Sequence, residues 1–363
     1  MVNRKLVLAN GREFKGVGES FKDIIGEVVF NTSMVGYQEI VTDPSYYQQI
    51  VVMTYPLIGN YGFNQSDSES KGIHINGLVV NSYNDSPSNF RSSSTLKEAL
   101  DEHQVPMLSN VDTRALVKVI RDEGMMLGII TDASTPHALC MEKIANYVVT
   151  PKQTSFVSTK KPVMYKTEKP KFHVALIDFG TKLNIIRMLN QRGCNVTIFP
   201  YNATKEDVLA LKPDGIFLSN GPGDPEDNVE AIHLIKQLKG ILPIVGICLG
   251  HQLIGLAYGA KTYKLTFGHR GSNHPVMYVD TKKLEITSQN HSYAISEESL
   301  ASTSLEVTHI NLLDQTVEGV KDELNQIFSI QYHPESAAGP EDSVYMFDHY
   351  IQLMKAHKEK KYV

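Results

Sequence analysis

The sequence predicts an α/β protein in two parts: an N-terminal mixed β/α domain, then a domain with a mostly parallel sheet flanked by helices. Three observations carry this. The chain has 363 residues, more than one hydrophobic core usually serves. The stretch 151–171 is rich in Lys, Thr, Ser and Pro and reads as a solvated linker, which sets the domains at 1–150 and 172–363. Beyond that stretch, short apolar runs alternate with helical patterns, the signature of a parallel sheet covered on both faces.

In the first part, Leu6-Val7-Leu8 leads through the turn signal Asn10-Gly11 to Glu13-Phe14-Lys15-Gly16, a hairpin pattern. Residues 26–31 and 49–55 are further strand candidates. Residues 93–102 and 112–122 read as helices; in the second, Leu116, Val119 and Ile120 recur at helical spacing behind an Asp112-Thr113 cap. In the second part, strands are expected at 172–178, 195–199, 215–218 and 241–247, and helices at 182–191, 205–211 and 228–239. In such a fold, functional loops lie at the carboxyl ends of the strands.

Composition narrows the function classes. Hydrophobic residues make up 42% and charged residues 21%, an ordinary globular balance, and the formal net charge of -5 points to neither nucleic acid nor an anionic membrane. Three cysteines, Cys140, Cys194 and Cys248, form neither a disulfide framework nor a CxxC metal pattern, which favours a reducing compartment. No apolar run suits a signal peptide or a membrane span, so a cytoplasmic protein is expected.

Three strand-end loops in the second part carry chemistry. Gly246-Ile247-Cys248-Leu249-Gly250-His251-Gln252 follows an apolar run and precedes a helical pattern. That is a strand, a sharp turn and a helix with a thiol at the apex, the plan of a nucleophile elbow with Cys in place of Ser. The thiol sits at a helix N-terminus, whose partial positive charge favours an anion. Ser219-Asn220-Gly221-Pro222-Gly223-Asp224-Pro225 follows another strand and presents backbone N–H groups suited to an oxyanion. Gln331-Tyr332-His333-Pro334-Glu335 closes a third; His333 and Glu335, two apart on extended chain, project to one side, so the carboxylate can orient the imidazole. Taken singly, these are a turn, a small buried hydrophobe and a surface strand end. Together they form a nucleophile, its base and the base's orienter.

In type, order and spacing, GICLGHQ, SNGPGDP and QYHPE resemble the motifs of the class I (triad) glutamine amidotransferases. That resemblance implies Cys248 as nucleophile, His333 as general base and acid, and Glu335 as the orienting acid. Backbone N–H groups of Leu249 and the 221–223 loop would hold the oxyanion. The first part narrows the family further. The stretch Gly26-Glu27-Val28-Val29-Phe30-Asn31 through Gly36-Tyr37-Gln38-Glu39 is similar to the carbamoyl-phosphate synthetase small-subunit family, as are Thr54-Tyr55-Pro56, Ser88-Asn89-Phe90-Arg91 and Val111-Asp112-Thr113-Arg114. The likeness runs nearly end to end. It implies that Ser45, Gly221, Gly223, Leu249, Gln252, Asn290 and Tyr293 contact L-glutamine, and that the first domain docks a large subunit.

One departure stands out. The family usually reads Asn-His-Gly-Phe where this chain has Asn290-His291-Ser292-Tyr293, so Ser292 lies at the glutamine site and would be strained if the position needs a positive φ. The chain has no GxxxxGK[ST] loop. No cofactor is therefore expected in this chain, and ATP is expected to be used by the large subunit. The spacing of His251, His269, His274 and His291 fits no zinc pattern, so no metal is expected. Rival readings are another amidotransferase glutaminase, a cysteine peptidase with the same triad, and a catalytically silent regulatory subunit.

Overall fold

A computed structural model of the protein describes residues 2–360. The chain divides into two compact units: Met1–Thr150 with Thr266–Gly271, and Pro151–Leu265 with Ser272–Val363.

The first unit is built on a seven-stranded mixed sheet. The expected hairpin is present, Val2–Leu8 pairing antiparallel with Glu13–Gly18 across the Asn10-Gly11 turn. Ile24–Asn31 runs parallel to Gln49–Met53, which runs parallel to Gly77–Val79. The helix Thr113–Glu123 starts on Asp112, whose carboxylate accepts the Ala115 N–H at 2.9 Å, and it buries Leu116, Val119 and Ile120 as the spacing predicts. The helix Leu96–Glu102 opens with a capping box, Thr95 and Glu98 each accepting the other's N–H.

The second unit carries a ten-stranded sheet. Its parallel core runs Cys194–Pro200, Phe172–Asp178, Gly215–Leu218, Ile244–Ile247 and Ile327–Ile330. These strands are buried on both sides, by Ile185, Leu189, Phe347 and Tyr350 on one face and Leu234, Leu253 and Ile254 on the other, which is why they read as continuous apolar runs. An arm of longer strands continues the sheet past Ile327–Ile330: Val317–Asp322, Glu306–Asn311, Thr262–Tyr278 and Leu284–Ile295.

Two expectations are adjusted. The segment 151–171, read as a solvated linker, holds a short helix, Thr154–Val157, and an edge strand, Val163–Tyr165, paired antiparallel with Cys194–Pro200. The strand expected at 241–247 starts at Ile244, because Ile241 and Leu242 turn in from the preceding helix. Among the described residues no helix is long and apolar enough to cross a membrane.

Candidate active site

The carboxyl ends of Gly215–Leu218, Ile244–Ile247 and Ile327–Ile330 are neighbours in the sheet, so the three motif loops emerge side by side. The elbow is the tightest of them. Cys248 has φ 54° and ψ −106°, a conformation a side-chain-bearing residue adopts only when its surroundings impose it. The surroundings do so with backbone bonds: Cys248 N–H donates to Ile330 O at 2.9 Å and Gly250 N–H to Ser219 O at 3.0 Å. The flanking glycines make room. A Cβ on Gly250 would lie 2.4 Å from Leu218 O, and one on Gly246 would lie 2.7 Å from the Gly250 carbonyl. Helix Leu249–Ala257 then begins, and its first N–H groups have no partner inside the helix.

The Cys248 thiol is buried and donates to the Asn290 carbonyl at 3.5 Å. The His333 ring lies within hydrogen-bonding influence of the Cys248 side chain, which raises the imidazole, and its Nε2 makes no other hydrogen bond among the described residues. His333 Nδ1 meets Glu335 Oε1 at 2.6 Å, as the two-residue spacing predicts. The strand-end backbone is held by His333 N–H to Ser288 O at 2.9 Å and Ser336 N–H to His333 O at 3.1 Å.

Sequence reasoning missed a fourth member. Lys182, 4% exposed, places Nζ 3.0 Å from Glu335 Oε1 and donates to Ser336 O at 2.7 Å. It is delivered there from the loop after the strand Phe172–Asp178. Asp178 accepts the N–H groups of Gly180 and Thr181, at 3.0 and 2.8 Å, and the Asn220 side chain accepts the Lys182 N–H at 3.1 Å. Asn184, two residues on, donates its side-chain amide to the Glu335 carbonyl. A strand-end acid followed by a buried lysine was the available signal; a lysine opening a helix reads first as a solvated side chain.

These charges set one another. Burial pushes the Glu335 carboxyl up, but Lys182 first and His333 second outweigh it and hold the group ionised well below the usual carboxylate range. Burial pushes His333 down, but the Glu335 carboxylate first and Cys248 second reverse this and raise the imidazole well above its ordinary value. The arrangement is thus a buried imidazole of raised proton affinity between a carboxylate and a thiol, able to take a proton at Nε2 and give it back.

Two family models divide the chain between them. One, for glutamine amidotransferase class-I, matches residues 175–353; the other, for the carbamoyl-phosphate synthase small chain, CPSase domain, matches residues 6–130. A carbamoyl phosphate synthase small chain of Oceanobacillus iheyensis is 48% identical over 99% of this chain and 98% of its own length. This chain belongs to the carbamoyl phosphate synthase small chain family. Relatives of the same description from Caldanaerobacter subterraneus subsp. tengcongensis and Staphylococcus epidermidis are 50% and 48% identical, over 98% and 99% of this chain and 98% of each relative.

The other expected residues of the small chain fall as follows. Gly221 and Gly223 lie in the loop after Gly215–Leu218, and Leu249 and Gln252 are in the first turn of the elbow helix. Asn290, Ser292 and Tyr293 lie on the strand Leu284–Ile295, which passes the thiol at Asn290. Ser292 has no positive φ, so the serine is not strained there. Ser45 belongs to the first unit, on the 3-10 turn Pro44–Tyr46, where its N–H donates to Asp43 at 2.9 Å. Gln331 is a further residue not singled out beforehand: buried two positions before His333, it accepts from Gln252 at 3.0 Å.

Proposed function

We propose that this small chain hydrolyses L-glutamine and passes the ammonia to a large synthetase subunit, which uses ATP and bicarbonate to make carbamoyl phosphate. The carrying observation is the His333–Glu335 pair at 2.6 Å, set beside the strained Cys248 elbow. The Cys248 thiol gives its proton to His333 and the sulfur attacks the side-chain amide carbon of glutamine. The oxyanion that forms is held by the N–H groups of Leu249 and the 221–223 loop. His333 protonates the departing nitrogen, ammonia leaves, and a γ-glutamyl thioester remains on Cys248. Water then attacks the thioester while His333 takes its proton, and glutamate leaves with the thiol restored. Throughout, Glu335 holds the imidazole by Nδ1 and balances its charge, and Lys182 keeps Glu335 ionised.

Ser45, Gly221, Gly223, Leu249, Gln252, Asn290, Ser292 and Tyr293 are each proposed to contact glutamine, and the first domain to dock the large subunit. Free ammonia is protonated and lost in water, so the two chains work as a closed pair in the cytoplasm. Their product would serve arginine synthesis, pyrimidine synthesis, or both. No cofactor or metal is proposed for this chain.

The test is glutamine hydrolysis by the purified chain, alone and with its large subunit, against Cys248→Ser. Wild type is expected to release glutamate and ammonia, and the variant to release neither. Equal hydrolysis by both would remove Cys248 from the mechanism. Cleavage of peptides without glutamine hydrolysis would make the chain a peptidase.

A further inference from the structure

The backbone from Ile327–Ile330 to His333 turns alternate side chains toward the elbow helix Leu249–Ala257. Ser329 Oγ meets His251 Nδ1 at 2.9 Å, and Gln331 Oε1 accepts from Gln252 Nε2 at 3.0 Å. The other Nε2 proton of Gln252 goes to the Tyr293 carbonyl at 2.8 Å. A backbone carbonyl only accepts, so Tyr293 decides which end of the Gln252 amide is nitrogen. The remaining Nε2 proton then needs an acceptor, which decides the orientation of Gln331. With both protons used, Gln252 Oε1 takes no hydrogen bond from the described residues and is left as the acceptor of that side chain.

Gln331 makes this contact at a cost. It is fully buried, and its own Nε2 has no hydrogen-bond partner among the described residues. An apolar residue of similar volume would fill the space without an unsatisfied donor. What Gln331 supplies, and an apolar residue would not, is the acceptor that locks Gln252.

We infer that Gln331 is a positioning residue for the substrate: it fixes the Gln252 amide with Oε1 presented to the α-ammonium of L-glutamine. This rests on the glutaminase reading above. An ammonium donating to a fixed carbonyl oxygen is a charge-assisted bond, and its strength depends on that oxygen being held in place. If the Gln252 amide is free to turn, it offers nitrogen protons to the ammonium as readily as oxygen.

The test uses the small chain with its large subunit and compares glutamine with glutaramate, which has the same amide but no α-amino group. Gln331→Leu should raise the KM for glutamine about tenfold, the order of effect of one weakened charge-assisted bond, with kcat little changed. The KM for glutaramate, ammonia-dependent carbamoyl phosphate formation and the rate of Cys248 alkylation by iodoacetamide should not move. Gln331→Glu keeps an acceptor for Gln252 and should hold the glutamine KM closer to wild type; it also keeps the test open if the leucine variant fails to fold. The inference is overturned if both substrates lose affinity together, if neither does, or if kcat and alkylation fall with KM, since Gln331 would then only pack the site. A wild-type complex that hydrolyses neither substrate, though it makes carbamoyl phosphate from ammonia, would instead sink the glutaminase reading itself.

Discussion

Lys182 governs the charge state of the site through the Glu335 carboxylate. Its ammonium is the strongest influence lowering the Glu335 carboxyl, and it reaches the same oxygen that meets His333. Lys182→Met should therefore raise the Glu335 carboxyl toward its ordinary range. The acid limb of the kcat profile should move to higher pH, because Glu335 must be ionised to balance the imidazolium. Removing one partner of a buried pair also leaves the other uncompensated, so the variant should lose about 3–5 kcal/mol of stability. Urea unfolding and a pH–rate profile check both effects; an unmoved acid limb would show that His333 alone keeps Glu335 ionised. His333→Asn is expected to reduce glutamine hydrolysis at least about a hundredfold, the usual worth of a positioned acid–base group. Glutamate release at saturating glutamine measures it.

At the scale of elements, the elbow depends on a helix starting where a strand stops. Gly250→Ala puts a methyl 2.4 Å from the Leu218 carbonyl, a rigid backbone atom, so helix Leu249–Ala257 must move as a unit and carry Cys248 with it. The expected cost is about 3 kcal/mol with loss of glutamine hydrolysis. Thr95→Ala is the matched contrast: it breaks the capping box of Leu96–Glu102 for about 1 kcal/mol and should leave kcat and KM for glutamine unchanged. Thermal midpoints and steady-state kinetics on the two variants separate the effects. The same elements show what the sequence made legible. Cys248, His333 and Glu335 lie in short motifs at the ends of apolar runs, so local pattern was enough to bring them forward as candidates. Lys182 and Glu335 are far apart in sequence, and no local signal announces a pairing made by sheet topology. The arm from Thr262 to Asp322 was not foreseen because its strands are long and only partly buried; Thr262–Tyr278 mixes exposed and buried positions without strict alternation. The edge strand Val163–Tyr165 was hidden by its polar neighbours, since an edge strand needs little apolar surface.

For the molecule as a whole, the buried pair makes folding stability depend on pH in two opposed ways. Glu335 is lowered from an ordinary value of 4.5, so its contribution is present above that pH and is lost as pH falls through the depressed folded value. His333 is raised from 6.5, so its contribution is fully present below that pH and is lost as pH rises through the elevated folded value. Both contributions are therefore complete between about pH 4.5 and 6.5, which is a window for this pair and not for the rest of the chain. The alkaline side is the more informative, because Glu335 is ionised in both states there and drops out. Measured by urea unfolding, the stability difference between wild type and His333→Asn should be largest near pH 6 and shrink steadily as the imidazolium loses its proton in the folded state. A difference that stayed constant from pH 6 to pH 10 would mean that His333 titrates in the folded chain as it does in the unfolded one, and so is neutral well below the alkaline end. The thiol would then have to be activated by a neutral base, and the imidazolium would form only after glutamine binds.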